Sequence, residues 1–218
     1  MSDYIKFLPN HFIKRYKIWK ATGYKENESW YKKISKEGQR PSTMVISCCD
    51  SRIHVTSIFG TDNGEFFIHR NIANLVPPYN PDGDHHGTSA AVEYAIKILK
   101  VSNIIILGHS MCGGINSGYH LCKGSNKLNE SIFINKWLKI LSPAFNKVIN
   151  SNKKVSNQQG IKNLEKESIK VSIKNLTDFP FIKEATKKKE LFIYGLWHDI
   201  ASGNLESLDP FTLEFKKI

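Results

Sequence analysis

Apolar residues in this chain change period several times, and each change marks an expected element. Between Phe7 and Gly38, first Phe12, Tyr16 and Trp19, then Trp30, Tyr31 and Ile34, recur at helical spacing in a polar background, which predicts two helices ahead of the core. Gly38 and Pro41 break that pattern, and residues 44–47 read as a buried strand delivering Cys48 to its carboxyl end. A second short strand is expected over residues 66–68, followed by an irregular stretch rich in Asn and Pro as far as Gly87. Thr88 or Ser89 would cap the next helix, whose Val92, Ala95, Ile96 and Leu99 share one face. Residues 103–107 are apolar towards both faces, as a central parallel strand requires, and run into Gly108-His109-Ser110-Met111-Cys112-Gly113-Gly114. Further on, the pattern predicts a helix around residues 132–141, a polar loop over 150–160, a helix over 163–176 stopped by Pro180, and a last core strand over 191–195. No repeat of fixed period is present. Strands alternating with helices imply right-handed crossovers and an α/β fold: a mainly parallel central β-sheet flanked by helices.

The length of 218 residues suits one domain, 1–218, read as a helical arm over 1–37 and an α/β core over 38–218. With 40% hydrophobic and 23% charged residues, the composition excludes wholesale disorder, collagen and coiled coil. No apolar run reaches the roughly 18 residues of a membrane helix, so a soluble protein without a membrane partner is expected. The net charge of +11 would attract anions, yet the basic residues are scattered and lack the aromatic interleaving of a nucleic-acid groove. Nucleic acid is therefore not expected as a partner. Four cysteines, Cys48, Cys49, Cys112 and Cys122, are too few and too clustered to frame a small secreted domain, which points to reduced thiols. Residues 1–6 contain no apolar signal segment, and a cytoplasmic location follows as the expectation.

Chemistry concentrates at the ends of two predicted strands. Cys48 and Cys112, with His109 close before the second thiol, offer two thiolates and an imidazole where open α/β sheets place their ligands. Zn²⁺ favours S and N donors, and three protein ligands leave its fourth position to water. Singly, each residue reads equally well as packing: a buried thiol behaves as a small hydrophobe, and a lone His is commonly a satisfied core residue.

Spacing decides between these readings. Cys48-Cys49-Asp50-Ser51-Arg52, taken as Cys-x-Asp-Ser-Arg, with His109-Ser110-Met111-Cys112-Gly113-Gly114 downstream, resembles the β-class carbonic anhydrases. The likeness continues through residues 67–74 and 89–95, and more weakly through 195–200, covering most of the chain beyond about residue 37. It implies that Cys48, His109 and Cys112 bind one Zn²⁺ per subunit, and that zinc-bound hydroxide attacks CO₂ in its reversible hydration to bicarbonate and a proton. Asp50 and Arg52 would be the catalytic pair, the guanidinium orienting the carboxylate and the carboxylate accepting the hydroxide's hydrogen. Gln39 matches the position that donates a hydrogen bond to bound substrate, and Phe67, Ile72 and Tyr94 match an apolar pocket wall supplied in part by a neighbouring subunit. A homodimer, often paired into tetramers, is implied, with the N-terminal helices packing on the partner subunit and Trp19, Trp30 and Tyr31 candidates for that surface.

Some departures from the family pattern carry information. Members that close the site by moving the Asp onto zinc use a Trp where this chain has Val45 and a Tyr where it has His198, although Arg70 is present. The open subtype, with Asp50 paired to Arg52, is therefore expected. Val55 replaces a frequent Pro; Cys49 is expected to be packed, and Cys122 to be a spare thiol. Proton export could use His54, His69, His85, His86 or His198. Three rival readings remain: the same scaffold acting on CS₂ or COS, a non-catalytic zinc-stabilised domain with Asp50 as fourth ligand, and a phosphatase with Cys112 as nucleophile. The last would need an Arg at position 118, where this chain has Gly.

Overall fold

The computed structural model describes residues 4–82, 86–125, 131–151 and 156–218. It divides into two compact units, Met1–Arg40 and Pro41–Ile218. The first holds α1 (Asn10–Ala21), a single turn α2 (Gly23–Glu26) and α3 (Glu28–Glu37), three helices where the sequence pattern predicts two. Trp19, Tyr24 and Tyr31 cluster there, Tyr24 stacking on Tyr31 at 5.1 Å, yet none of the three helices contains a buried residue.

The second unit is built on a six-stranded sheet in the order β2-β1-β3-β4-β5-β6. Strands β1 (Thr43–Cys48), β2 (Phe66–Asn71), β3 (Asn103–His109) and β4 (Phe192–His198) are parallel to their neighbours; β5 (Leu205–Leu208) and β6 (Phe215–Lys217) join antiparallel. The expected strand over 191–195 is thus not the last. Helix α4 (Val55–Phe59) follows β1, α5 (His86–Lys97) follows β2 and α6 (Gly113–Cys122) follows β3. Helices α7 (Ile132–Leu138), α8 (Ser142–Ser151), α9 (Asn157–Thr177) and α10 (Pro180–Lys187) complete the layers. Among the described residues, no helix is long and apolar enough to cross a membrane.

Strand alternation sorts the core. Met44, Ile46, Ile104 and Ile106 pack against Val92, Ala95 and Ile96 of α5 and Ile169 and Leu176 of α9, while Val45, Leu107 and Leu196 meet Ile53 and Val55 in a separate cluster. A third cluster joins Tyr119, Leu138, Leu141, Phe145 and Leu164 to Cys48 and Cys112. Burying each large side chain contributes about 1.5–3 kcal/mol, so the strand ends that carry the thiols rest on a packed foundation.

Three local expectations are corrected. Helix α5 begins at His86, because Thr88 is not a cap: it is buried and its hydroxyl meets His69 Nε2 at 2.9 Å. Much of the polar stretch 150–160 is helical, since α8 runs to Ser151 and α9 starts at Asn157 behind a Ser156 cap; residues 152–155 lie outside the described residues. Pro180 opens α10 in its first turn, where its missing N–H costs nothing, rather than merely stopping α9.

Candidate metal centre

Register brings the ligand strands together. Cys48 closes β1, His109 closes β3 beside it, and the Ser110-Met111-Cys112 turn carries the second thiol to the start of α6. Cys48, His109 and Cys112 are all buried, and one donor atom from each lies within 4.8 Å of the others. The sulfurs are 3.8 Å apart. His109 Nδ1 lies 2.9 Å from the Ser110 carbonyl oxygen, a contact that suits an N–H donor there and leaves Nε2 to face the thiols; Nε2 is buried without a hydrogen-bond partner among the described residues. Ser110 Oγ donates in turn to Asp199, which also receives the Ala201 N–H. Two sulfurs and an orphaned imidazole nitrogen, gathered this closely, fit Zn²⁺.

Charge is arranged to match. The two thiols titrate as one unit: hydrogen bonding from Cys112 pulls Cys48 down to about 4, and the same interaction, with burial, pushes Cys112 up. Burial lowers His109, but the Cys48 sulfur and the Ser110 carbonyl outweigh it and the net shift is upward. Arg52 grips Asp50 bidentately, Nε to Oδ1 at 2.9 Å and Nη2 to Oδ2 at 2.7 Å, which holds the carboxyl well below the usual range. Asp50 Oδ2 is 3.9 Å from His109 Nε2, so the paired carboxylate borders the three donors.

Other expected residues are placed as follows. Ile72 follows Asn71, which pairs with Cys48, and its Cγ2 lies against Gly114 at the start of α6. A Cβ at Gly114 would meet that methyl at 2.7 Å and Ala73 Cβ at 3.1 Å, so Gly114→Ala is expected to cost about 1–3 kcal/mol in urea unfolding. Phe67 and Tyr94 lie together, ring centroids 5.9 Å apart, but Phe67 pairs with Met44, roughly 13 Å along the strand from Cys48 at about 3.3 Å per residue. Within one chain they stand away from the thiols. Gln39 is exposed and belongs to the first unit. Cys49 is exposed rather than packed, because β1 ends at Cys48 and the next side chain turns outward; Cys122 is half-buried and outside the donor group. His69 bonds Thr88, His54 contacts Thr56 and Ser57, and His85 lies outside the described residues.

Two supports escaped the sequence reading. Arg70, noted there only as a regulatory match, donates from Nε to the Cys48 carbonyl at 2.9 Å and from Nη2 to the Asp50 carbonyl at 2.7 Å, bracing the segment between ligand and carboxylate. Glu165 of α9, buried, accepts from the Cys112 N–H at 3.2 Å and from Trp197 Nε1 at 3.3 Å, and burial raises its pKa. An open cavity of about 810 Å³ borders Arg52, Met111, Cys112, Lys162, Glu165 and Asp199.

Comparison with known proteins agrees with this geometry. The family model described as carbonic anhydrase matches residues 43–205. Beta carbonic anhydrase 3 of Arabidopsis thaliana is 37% identical over 198 residues, covering 91% of this chain and 74% of the relative. The structure of the beta-carbonic anhydrase CcaA superposes with a TM-score of 0.88 at 25% identity, over 96% of this chain and 91% of that one. One of two tetrameric beta-carbonic anhydrases from Sordaria macrospora does so with a TM-score of 0.78 at 28% identity, over 91% and 95%.

Proposed function

The chain belongs to the β-class carbonic anhydrases, which hydrate CO₂ reversibly to bicarbonate and a proton, and on that premise we infer that Cys48, His109 and Cys112 hold the zinc ion this reaction requires. The observation that carries this reading is the set of three buried donors bordered by a carboxylate already locked to Arg52. Bound there, zinc would supply the Lewis acidity that lets water ionise far more readily than in bulk.

The chain's own residues do the rest. Arg52 keeps Asp50 ionised and aimed, so that Asp50 can accept the hydrogen of the attacking oxygen and present that oxygen's lone pair to CO₂. With both carboxylate oxygens engaged by Arg52, Asp50 is better read as an orienting group than as a fourth metal ligand, which favours the open subtype over a closed structural site. Ile72 offers an apolar wall, suited to a substrate without net dipole, and Gln39 is assigned to bind substrate oxygen. Phe67 and Tyr94 are assigned to the site of a second copy, the reading supported by their pairing at the far end of β2. A homodimer or tetramer is proposed accordingly, its contact including the N-terminal unit, whose helices contain no fully buried residue and leave Trp19 exposed. A reducing, cytoplasmic setting is part of the proposal, supported by four free cysteines.

As thiolates, Cys48 and Cys112 cancel the cation's charge and weaken its pull on electrons. Hydration is therefore expected to rise from acid to mildly alkaline pH. Stopped-flow CO₂ hydration, run with metal analysis, tests the reading: chelation should abolish activity and zinc should restore it. Full activity in the metal-free chain, or a rate flat across that pH range, would refute it.

A further inference from the structure

The Ser110-Met111-Cys112 turn is held in an unusual way. Met111 is a non-glycine residue at φ 57°, in the left-handed region, so its conformation has to be maintained by what surrounds it. The peptide unit joining Met111 to Cys112 is planar and trans, with its C=O and N–H pointing in opposite directions. Both ends are taken by charged side chains of opposite sign. Arg52 Nη2 donates to the Met111 carbonyl at 2.9 Å, and Glu165 Oε1 accepts the Cys112 N–H at 3.2 Å. The second Glu165 oxygen accepts Trp197 Nε1–H at 3.3 Å, and the indole is itself buried. Cys112 is the residue just before α6, a helix of ten residues, so the carboxylate also meets the positive end of the helix dipole.

Resting on the reading of Cys112 as a metal ligand, we propose that Glu165 is a positioning residue of the metal centre: it fixes the Met111–Cys112 peptide from the side opposite Arg52 and thereby sets the direction of the Cys112 sulfur. Rotation of that peptide would swing Cys112 Cβ, and the same rotation would pull the Met111 carbonyl from Arg52, the residue that aims Asp50. Glu165 thus ties the sulfur ligand and the catalytic carboxylate to one rigid plane. A carboxylate does this better than an amide, because both N–H donors need an acceptor and an amide offers a single oxygen.

The test compares zinc-loaded wild type with Glu165→Gln, Glu165→Leu and, as a control, Ile169→Ala, which removes a fully buried core side chain of the same helix. Zinc release into excess chromophoric chelator is followed alongside kcat, KM and melting temperature. Glu165→Leu is expected to release zinc about 10–100-fold faster than wild type, with Glu165→Gln in between. In both, kcat should fall while KM for CO₂ changes little. Ile169→Ala should melt lower yet release zinc at the wild-type rate. Should Glu165→Leu fail to fold, Glu165→Gln decides by the same measure. Glu165 variants that hold zinc within about twofold of wild type, or lose it no faster than Ile169→Ala, overturn the proposal alone. A wild-type chain that takes up no zinc overturns the metal reading, and the proposal with it.

Discussion

Cys112→Ser is expected to leave the purified chain essentially free of zinc and to lower CO₂ hydration by on the order of 10³-fold or more, since the acceleration depends on the metal's effect on water. Serine is isosteric enough to keep the turn but offers a hard hydroxyl where the site needs a soft thiolate. The loss falls on the donor set: a serine hydroxyl can still donate to Cys48 but does not ionise as a thiol does, so one of the three buried metal donors disappears. Metal uptake in wild type must displace the proton kept on Cys112, so zinc retention should weaken as the pH falls. Cys48→Ala should be equally metal-free although Cys49 is adjacent, because that thiol faces outward. Metal analysis with stopped-flow hydration checks both variants. Retention of one zinc per chain at near wild-type rate would show that the three donors do not form the working site.

Asp50→Asn is expected to separate chemistry from metal binding. Zinc content should match wild type, because Cys48, His109 and Cys112 are untouched, whereas kcat should fall about 10²–10³-fold, the scale of losing one preorganised electrostatic contact. The change is small in volume and large in charge. An amide has a single oxygen to accept from the guanidinium, so in either Asn orientation its NH2 faces one of the two Arg52 N–H donors that Asp50 now satisfies. Arg52 stays anchored on the Met111 carbonyl, which limits structural collapse and makes the loss one of aim and basicity. Parallel hydration rates and zinc contents decide the matter; a rate within threefold or so of wild type would remove Asp50 from the mechanism.

Much of this was legible along the chain because the physics was local. Ile104 to Leu107 are apolar towards both faces, the pattern of an interior parallel strand, and Asp50 and Arg52 lie two positions apart at a strand end, close enough to meet without help from the rest of the fold. Elements whose reasons are distant were not legible. β5 and β6 are short, with side chains partly or fully exposed, and nothing in Leu205–Leu208 or Phe215–Lys217 alternates strongly enough to announce a strand. The opening of α9 is hidden because Asn157, Gln158 and Gln159 are exposed and the helix gains a buried face only later. Glu165 gave no signal either. It reads as one more charge on an amphipathic helix, and only folding brings it to Cys112, 53 residues away in sequence.

The pairing of β1 on both edges, with β2 and with β3, has a practical corollary. Because side chains alternate, a slip of one residue in that strand would seat either Ser47 or Cys49 at the ladder position Cys48 now holds, and would carry Asp50 and Arg52 along with it. One of those slips still presents a thiol, whereas both drag the Arg52 guanidinium from the Met111 carbonyl, so turnover per bound ion, rather than metal content alone, gauges how much of a preparation has folded faithfully.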